Sequence, residues 1–564
     1  MKQGYFTFVL HSHLPYVRMA GRWPHGEEMI HEAVAETYVP LLDALYDLKQ
    51  AGIEPRLTIG LTPILLEQLA DRDVREHFEL YLQEEIEVAR ADARRFAERG
   101  ERRFEELAHF YRAWYEHVQD SFQHRFGRDL VGAFRSLRDA GNLDILTSAA
   151  THGYLPLLER DSSIYAQIAT GIETTRYHFG HAPYGIWLPE CGYRPAFYQH
   201  ADGQAYYKPG IEEFLADLNL LYFFTDSHVI EGGTMVGKVA DDVHGPYGGL
   251  PRRELAVRAD PRPVASRRTT LRPYYVQSTR VAVFGRDART GLQVWSARHG
   301  YPGDFLYREF HRKDPLSGLQ YWRVTGPDVD LGQKELYDPA AAQARTALHA
   351  DHFAALVTEI VQGYYAEHHQ PCLVVSAYDT ELFGHWWFEG IEWLKGVLER
   401  LARSESVGIM TANDYLERYP PEEVLTLPES SWGAGGTHWT WLNPQTEWIW
   451  PLIHAAERRM EQLVAAYPQA DGWRLRALNQ LARELLLLES SDWPFLISTG
   501  QAREYASARF QQHLARFNRL AMIIEAGQLG PEEERFLDAV AVLDNPFPQI
   551  DYHVFAQRER LAGA

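Results

Sequence analysis

Tyr5-Phe-Thr-Phe-Val-Leu-His-Ser-His13 is the stretch from which the fold is read. Residues 5–10 form a nearly continuous apolar run, and two histidines follow at once. A strand with one wet face alternates apolar and polar residues. A continuous run is expected where both faces are covered, as in a parallel sheet flanked by helices. Six further short runs read the same way, at residues 56–60, 143–147, 184–188, 221–225, 372–377 and 407–411. Helical patterns such as 36–50 and 389–403 lie between most of them. Seven such βα-like units point to a parallel barrel or a doubly wound sheet.

The residues that follow the runs point to chemistry. His11 and His13 follow the first, His152 the third and Glu190 the fourth. Asp226 and His228 follow the fifth, Asp379 and Glu381 the sixth, Asn413 and Asp414 the seventh. In parallel α/β folds the C-terminal ends of the strands share one face, and that face carries the site. Any one of these groups could cap a helix or turn, but their recurrence at one relative position predicts convergence.

Two segments interrupt the series. Residues 64–140 are strongly helical and charge-laced, and read as a helical subdomain inserted in a catalytic domain of residues 1–427. Residues 229–330 are rich in Gly, Pro and Arg, with little periodicity, and read as a long irregular loop or lid. From about residue 448 the pattern is all helical, at 448–467, 473–488, 505–525 and 532–543, so residues 428–564 are expected to form a helical domain.

Composition narrows the function. The formal net charge of −21 opposes a nucleic-acid partner, which needs basic faces to displace counterions. Two cysteines, Cys191 and Cys372, make neither a disulfide framework nor a zinc ribbon. No stretch is long enough for a membrane span, and the first apolar run is too short for a secretion signal, so a cytoplasmic protein is expected. Fifteen Trp and 31 Tyr suit a protein that stacks sugar rings, although most aromatics pack cores.

Two carboxylates stand among such aromatics. Glu190 lies in Gly185-Ile-Trp-Leu-Pro-Glu-Cys-Gly-Tyr193, and Asp379 in Ser376-Ala-Tyr-Asp-Thr-Glu-Leu-Phe-Gly-His-Trp-Trp-Phe-Glu-Gly390. Glycosidic chemistry needs such a pair: one group attacks or stabilises C1, the other protonates the leaving oxygen.

His11-Ser-His-Leu-Pro-Tyr16, Ala150-Thr-His-Gly-Tyr-Leu-Pro156, Trp187-Leu-Pro-Glu-Cys-Gly-Tyr193 and Tyr378-Asp-Thr-Glu-Leu-Phe-Gly-His385 resemble the ordered motifs of glycoside hydrolase family 57. With Gln293-Val-Trp-Ser296, Gly300-Tyr-Pro-Gly-Asp304, Ser430-Ser-Trp-Gly433, Trp441-Leu-Asn443 and Ser490-Ser-Asp-Trp-Pro494, the wording is most similar to the family's branching-enzyme subgroup. The resemblance implies an incomplete (β/α)7 barrel with a helical insertion and a C-terminal all-helical domain that contributes to the glucan groove. It implies Glu190 as nucleophile and Asp379 as general acid/base. His11, His13 and His152 would line the subsite of the attacked sugar. Trp23, Trp295, Trp432 and Trp441 would shape the groove, and Asp492 would come from the C-terminal domain. A loop tyrosine that shields the intermediate from water has three candidates here, Tyr247, Tyr274 and Tyr275.

The implied activity is a retaining 1,4-α-glucan branching enzyme acting on amylose- or glycogen-like chains. It would need no cofactor and no metal, and would work as a monomer or small homo-oligomer. A mainly hydrolytic α-amylase or a 4-α-glucanotransferase of the same family is the alternative. A second is a metal-dependent polysaccharide deacetylase, with His11, His13, Asp226 and His228 as ligands.

Overall fold

The computed structural model describes residues 2–22, 24–201, 204–232, 268–277, 279–296 and 300–557. Eight parallel strands organise it: β1 (Gly4–Ser12), β2 (Leu57–Leu61), β3 (Leu143–Leu146), β4 (Gly185–Ile186), β5 (Tyr222–Thr225), β6 (Ala282–Gly285), β7 (Cys372–Asp379) and β8 (Val407–Ile409). The ladders run β7-β1-β2-β3 and β4-β5-β6. A parallel bridge between Thr147 and Ile186 joins β3 to β4. Between β6 and β7 the Asp287 N–H donates to the Val375 carbonyl at 2.9 Å. Seven strands thus follow one another around an incomplete (β/α)7 barrel.

All nine residues of β1 are buried, so its continuous apolar run is what a strand covered on both faces requires. Gly185 on β4 is needed for close packing, because a Cβ there would lie 2.3 Å from the Tyr222 ring.

The strand count agrees with the seven apolar runs, but one strand differs. Residues 407–411 do not supply the seventh ring strand. β8 pairs with Gly4–Phe6 on the β1 edge whose later residues, Val9–Ser12, pair with β2. The seventh is β6, inside the segment read from sequence as irregular. There Tyr274–Val276 pairs antiparallel with β6, and the helix Ala288–Trp295 follows. Strands of three and four residues among Pro, Gly and Arg are too short to show a period.

The region after β2 is helical: Pro63–Ala70, Arg72–Arg99, Arg102–Asp120 and Leu130–Asp139. Asp71 caps the longest of these by accepting from the N–H groups of Asp73 and Val74, and Gly100 ends it in the left-handed conformation. The C-terminal region contains Trp450–Ala466, Gly472–Leu488, Asp492–Thr499, Arg503–Ala526 and Pro531–Leu543. Among the described residues no helix is long and apolar enough to cross a membrane.

Candidate active site

In the parallel register of β1 and β7, His11 pairs with Asp379. Adjacent strands lie about 4.8 Å apart, so one carboxylate and one histidine emerge side by side at the C-terminal ends. The His11 ring stacks on Trp187, centroids 4.9 Å apart, just beyond β4. Its Nε2 shares a hydrogen bond with Nε2 of His152 at 3.0 Å. Glu190 lies three residues after Trp187. Its Oε2 accepts from the indole N–H of Trp432 at 2.5 Å, and its carbonyl accepts from the Trp432 backbone N–H at 3.0 Å. The Trp432 ring meets Trp187 at 5.0 Å and His11 at 6.4 Å. Both carboxylates therefore attach to one cluster of rings. His11 and His152 are buried, whereas Glu190 and Asp379 are half-buried.

Backbone strain gathers at the same place. Glu190 (φ 59°), Cys191 (φ 50°) and His152 (φ 57°) are all left-handed. For residues with a Cβ this costs about 1–2 kcal/mol each. The turn at Glu190 is held by Cys191 N–H to Leu188 O and Gly192 N–H to Pro189 O, both 2.9 Å. Burial pushes the Cys191 thiol well up; the charges of Asp226, Glu190 and Asp379 add to this and Arg286 opposes it.

His13 connects this centre to the C-terminal region. Its Nε2 meets Asp492 Oδ1 at 2.9 Å, its Nδ1 meets Thr62 Oγ1 at 3.1 Å, and its ring stacks on His152 at 3.9 Å. Burial pushes the His13 imidazole down, but Asp492, then Glu381 and Glu190, outweigh it and raise it above its ordinary pKa. Ser490 Oγ donates to Asp492 at 2.6 Å, and Ser491 Oγ meets His152 Nδ1 at 2.9 Å. Glu381 accepts from the His13 backbone N–H at 3.1 Å and from the Tyr38 hydroxyl. Burial, with Asp379 adding, raises the Glu381 carboxyl to about 7.

Asp226 does not join His11 and His13 in a ligand set. Its Oδ2 pairs with the buried Arg286 guanidinium at 2.9 Å, and His228 Nδ1 lies 3.7 Å from that oxygen. Arg286 in turn sits over the Trp432 ring at 5.9 Å. Asp226 is thus already paired with a fixed cation. Among the described residues the His/carboxylate cluster able to hold a metal is Glu484, His513 and Asp544, in the C-terminal region. There Asp544 already pairs with Arg516 at 2.5 Å.

The other expected residues divide. Trp295 approaches Tyr378, the neighbour of Asp379, at 6.2 Å. Trp441 is fully buried and stacks on Tyr154 at 4.2 Å. Trp439, two residues earlier, is the exposed ring of that loop. Tyr274 is corrected as a loop tyrosine. It is fully buried in the strand against β6, and its hydroxyl donates to the Thr269 carbonyl at 3.1 Å. Tyr275 lies in the same strand and pairs with Val424, so it too is a strand residue and not a loop residue. Trp23 and Tyr247 lie outside the described residues. Sequence reasoning missed Tyr38, Ser491 and Arg286. Arg286 directly follows β6, so recognising that strand would have found it.

Comparison with known proteins accords with this geometry. The model of glycosyl hydrolase family 57 matches residues 7–428, and that of the C-terminal region of 1,4-alpha-glucan branching enzymes matches residues 452–555. A 1,4-alpha-glucan branching enzyme of Thermococcus kodakarensis is 44% identical over 548 residues, covering 97% of this chain and 77% of its own. The crystal structure of a branching enzyme from Pyrococcus horikoshii superposes with a TM-score of 0.87 at 42% identity, covering 99% of this chain and 97% of that one. An alpha-amylase from Thermotoga maritima superposes with a TM-score of 0.81 at 31% identity, with all of both chains covered.

Proposed function

The chain belongs to glycosyl hydrolase family 57, and from that premise we propose that it is a 1,4-α-glucan branching enzyme working by double displacement. Glu190 attacks C1 of an α-1,4-linked glucose while Asp379 gives a proton to the departing 4-oxygen. The covalent glucosyl-enzyme is resolved when Asp379, now a base, takes the proton from a glucan 6-hydroxyl that attacks C1. Glu190 leaves, and an α-1,6 branch remains.

Trp432 holds the nucleophile by its N–H, and the rings of His11, His13 and His152 line the subsite of the attacked sugar. No cofactor or metal enters this scheme. We place the enzyme in the cytoplasm, as a monomer or small homo-oligomer.

The observation that carries the branching reading is the contact between Asp492 and His13 at 2.9 Å. Asp492 lies in the region matched by the branching-enzyme C-terminal model, and it reaches into the site built by the barrel. The likeness to an alpha-amylase keeps hydrolysis as the second reading; the two differ in whether a sugar hydroxyl or water resolves the intermediate.

Incubation with amylose separates them: new α-1,6 linkages should outnumber new reducing ends. Reducing ends without branch points would make the protein a hydrolase. Glu190→Gln should lower turnover by at least about 10³-fold while leaving the fold intact; near-normal activity would remove the nucleophile. A crystal structure with bound glucan should show the two carboxyl groups about 5–5.5 Å apart, as retention requires.

A further inference from the structure

An aromatic ribbon stands beside the site and takes no part in the chemistry above. Phe197–Ala201 pairs antiparallel with Gln204–Lys208, setting Tyr198 opposite Tyr207 and Gln199 opposite Tyr206. Phe197, Tyr198, Tyr206 and Tyr207 are 43%, 65%, 48% and 42% exposed. A two-stranded ribbon is marginal by itself, and four large rings on its surface need a reason beyond folding.

Its placement supplies one. The ribbon begins four residues after Tyr193, whose backbone is tied to Ser430 by two hydrogen bonds, beside the Trp432 loop. Lys208 Nζ donates to the Glu159 carbonyl at 3.0 Å and Asp161 Oδ1 at 3.2 Å, at the start of the helix Asp161–Phe179 that follows β3. Tyr207 donates to Glu213 at 2.6 Å, in the first turn of the helix Ile211–Asp217 that precedes β5. A helix that follows a barrel strand starts at the catalytic face, so the Lys208 anchor fixes the ribbon there.

The surface is continuous with the sugar-binding side. The Arg194 guanidinium lies over the Phe197 ring at 4.9 Å; burial pulls its pKa below the ordinary value, and the nearby charges of Asp161 and then Glu429 oppose that. Glu429 pairs with His438 at 2.7 Å, and His438 Nδ1 meets the Tyr154 hydroxyl at 2.7 Å. Exposed Trp439 is the next residue in the chain. Phe197 is the seventh residue after Glu190, which limits their distance to about 25 Å, several sugar rings along a chain.

We propose that this ribbon is a remote docking platform for the α-1,4-glucan chain, with Phe197 and Tyr198 stacking on sugar rings well away from the bond being broken. The proposal rests on the glucan reading above and names where the distal part of a long substrate lies. Tyrosine suits this occupant, since it offers a flat apolar face and a polar rim at low entropic cost.

The test is the double variant Phe197→Ala/Tyr198→Ala, which keeps the anchors Tyr207 and Lys208. KM for long amylose should rise about tenfold. The kcat/KM on short malto-oligosaccharides, too short to span from Glu190 to the ribbon, should stay within twofold. In native gels containing amylose, retardation should weaken, and Tyr198→Trp alone should retain it. An unchanged KM for amylose, or equal losses on long and short substrates, would overturn the proposal. So would a change of molecular mass by light scattering, which would make the ribbon a contact between copies. If the unsubstituted protein acted on no α-glucan, the glucan reading would fall with it.

Discussion

Trp432 is the residue on which the site's geometry turns most directly. Its indole N–H is a neutral donor to a charged acceptor, Glu190, in a half-buried setting where such bonds contribute about 1.5–3 kcal/mol. Trp432→Phe keeps most of the ring contacts with Trp187 and His11 but removes that donor. The kcat should therefore fall about 10- to 100-fold with KM little changed, by steady-state kinetics on amylose; a kcat within twofold would show that the nucleophile is held by something else. At this scale the sequence was informative wherever a motif ended a strand: His11, His152, Glu190 and Asp379 were all named by position. It was blind to partners that are remote in the chain. Nothing in the spacing of Tyr38 and Glu381, or of Asp226 and Arg286, announces that they touch. It was equally blind to ring exposure, since a motif gives Trp441 its position and not its burial.

Among the elements, the helix Trp450–Ala466 and the residue just after Gly472–Leu488 bring two carboxyl groups into the protein interior. Glu457 and Glu489 are both fully or almost fully buried. Glu457 accepts from the Glu159 and Arg160 backbone N–H groups, and Glu489 accepts from Gln167 at 2.8 Å. Burial raises Glu457 to about 8, and raises Glu489 well above its ordinary value, with the charge of Glu457 adding to it. A carboxyl raised on folding contributes stability fully below its unfolded pKa and loses it as pH climbs through the folded pKa. The loss should thus run from about pH 5 to beyond pH 8, at about 1.4 kcal/mol per pH unit for each titrating group. Thermal melts of the intact chain across that range should show Tm falling, and Glu489→Gln, which keeps the acceptor for Gln167, should flatten the fall. A variant whose Tm tracks the unsubstituted protein at every pH would refute this. The elements themselves were legible where they were long. The C-terminal helices and most barrel strands appear as periodic or continuous apolar patterns, whereas β6 and the short helix Asp492–Thr499 do not, because four to eight residues hold about one or two turns of signal.

Across the whole molecule, the barrel and the C-terminal helices are joined by more than contact at a rim. One hydrophobic core runs from Tyr5, Val9 and Tyr16 through Tyr154 and Trp187 to Leu486, Trp493 and Phe517. Polar ties cross the same seam: Tyr16 hydroxyl to the Leu543 carbonyl at 3.1 Å, Arg18 to the Val542 carbonyl at 2.7 Å, Arg509 to the Tyr16 carbonyl at 3.2 Å, and Thr151 to the Leu486 carbonyl. The histidines of the site therefore sit on a wall whose other side belongs to the C-terminal region. If that region melted first, it would expose the apolar side of the barrel and release His13 and His152 together. The two parts should consequently unfold as one unit. Calorimetry should give a single transition whose calorimetric and van't Hoff enthalpies agree, which chains of this length often fail to do. Activity lost on heating should follow the same curve, because Asp492 cannot leave His13 before the core opens. Two resolved transitions, with the later one retaining barrel structure, would show that the shared core does not couple them.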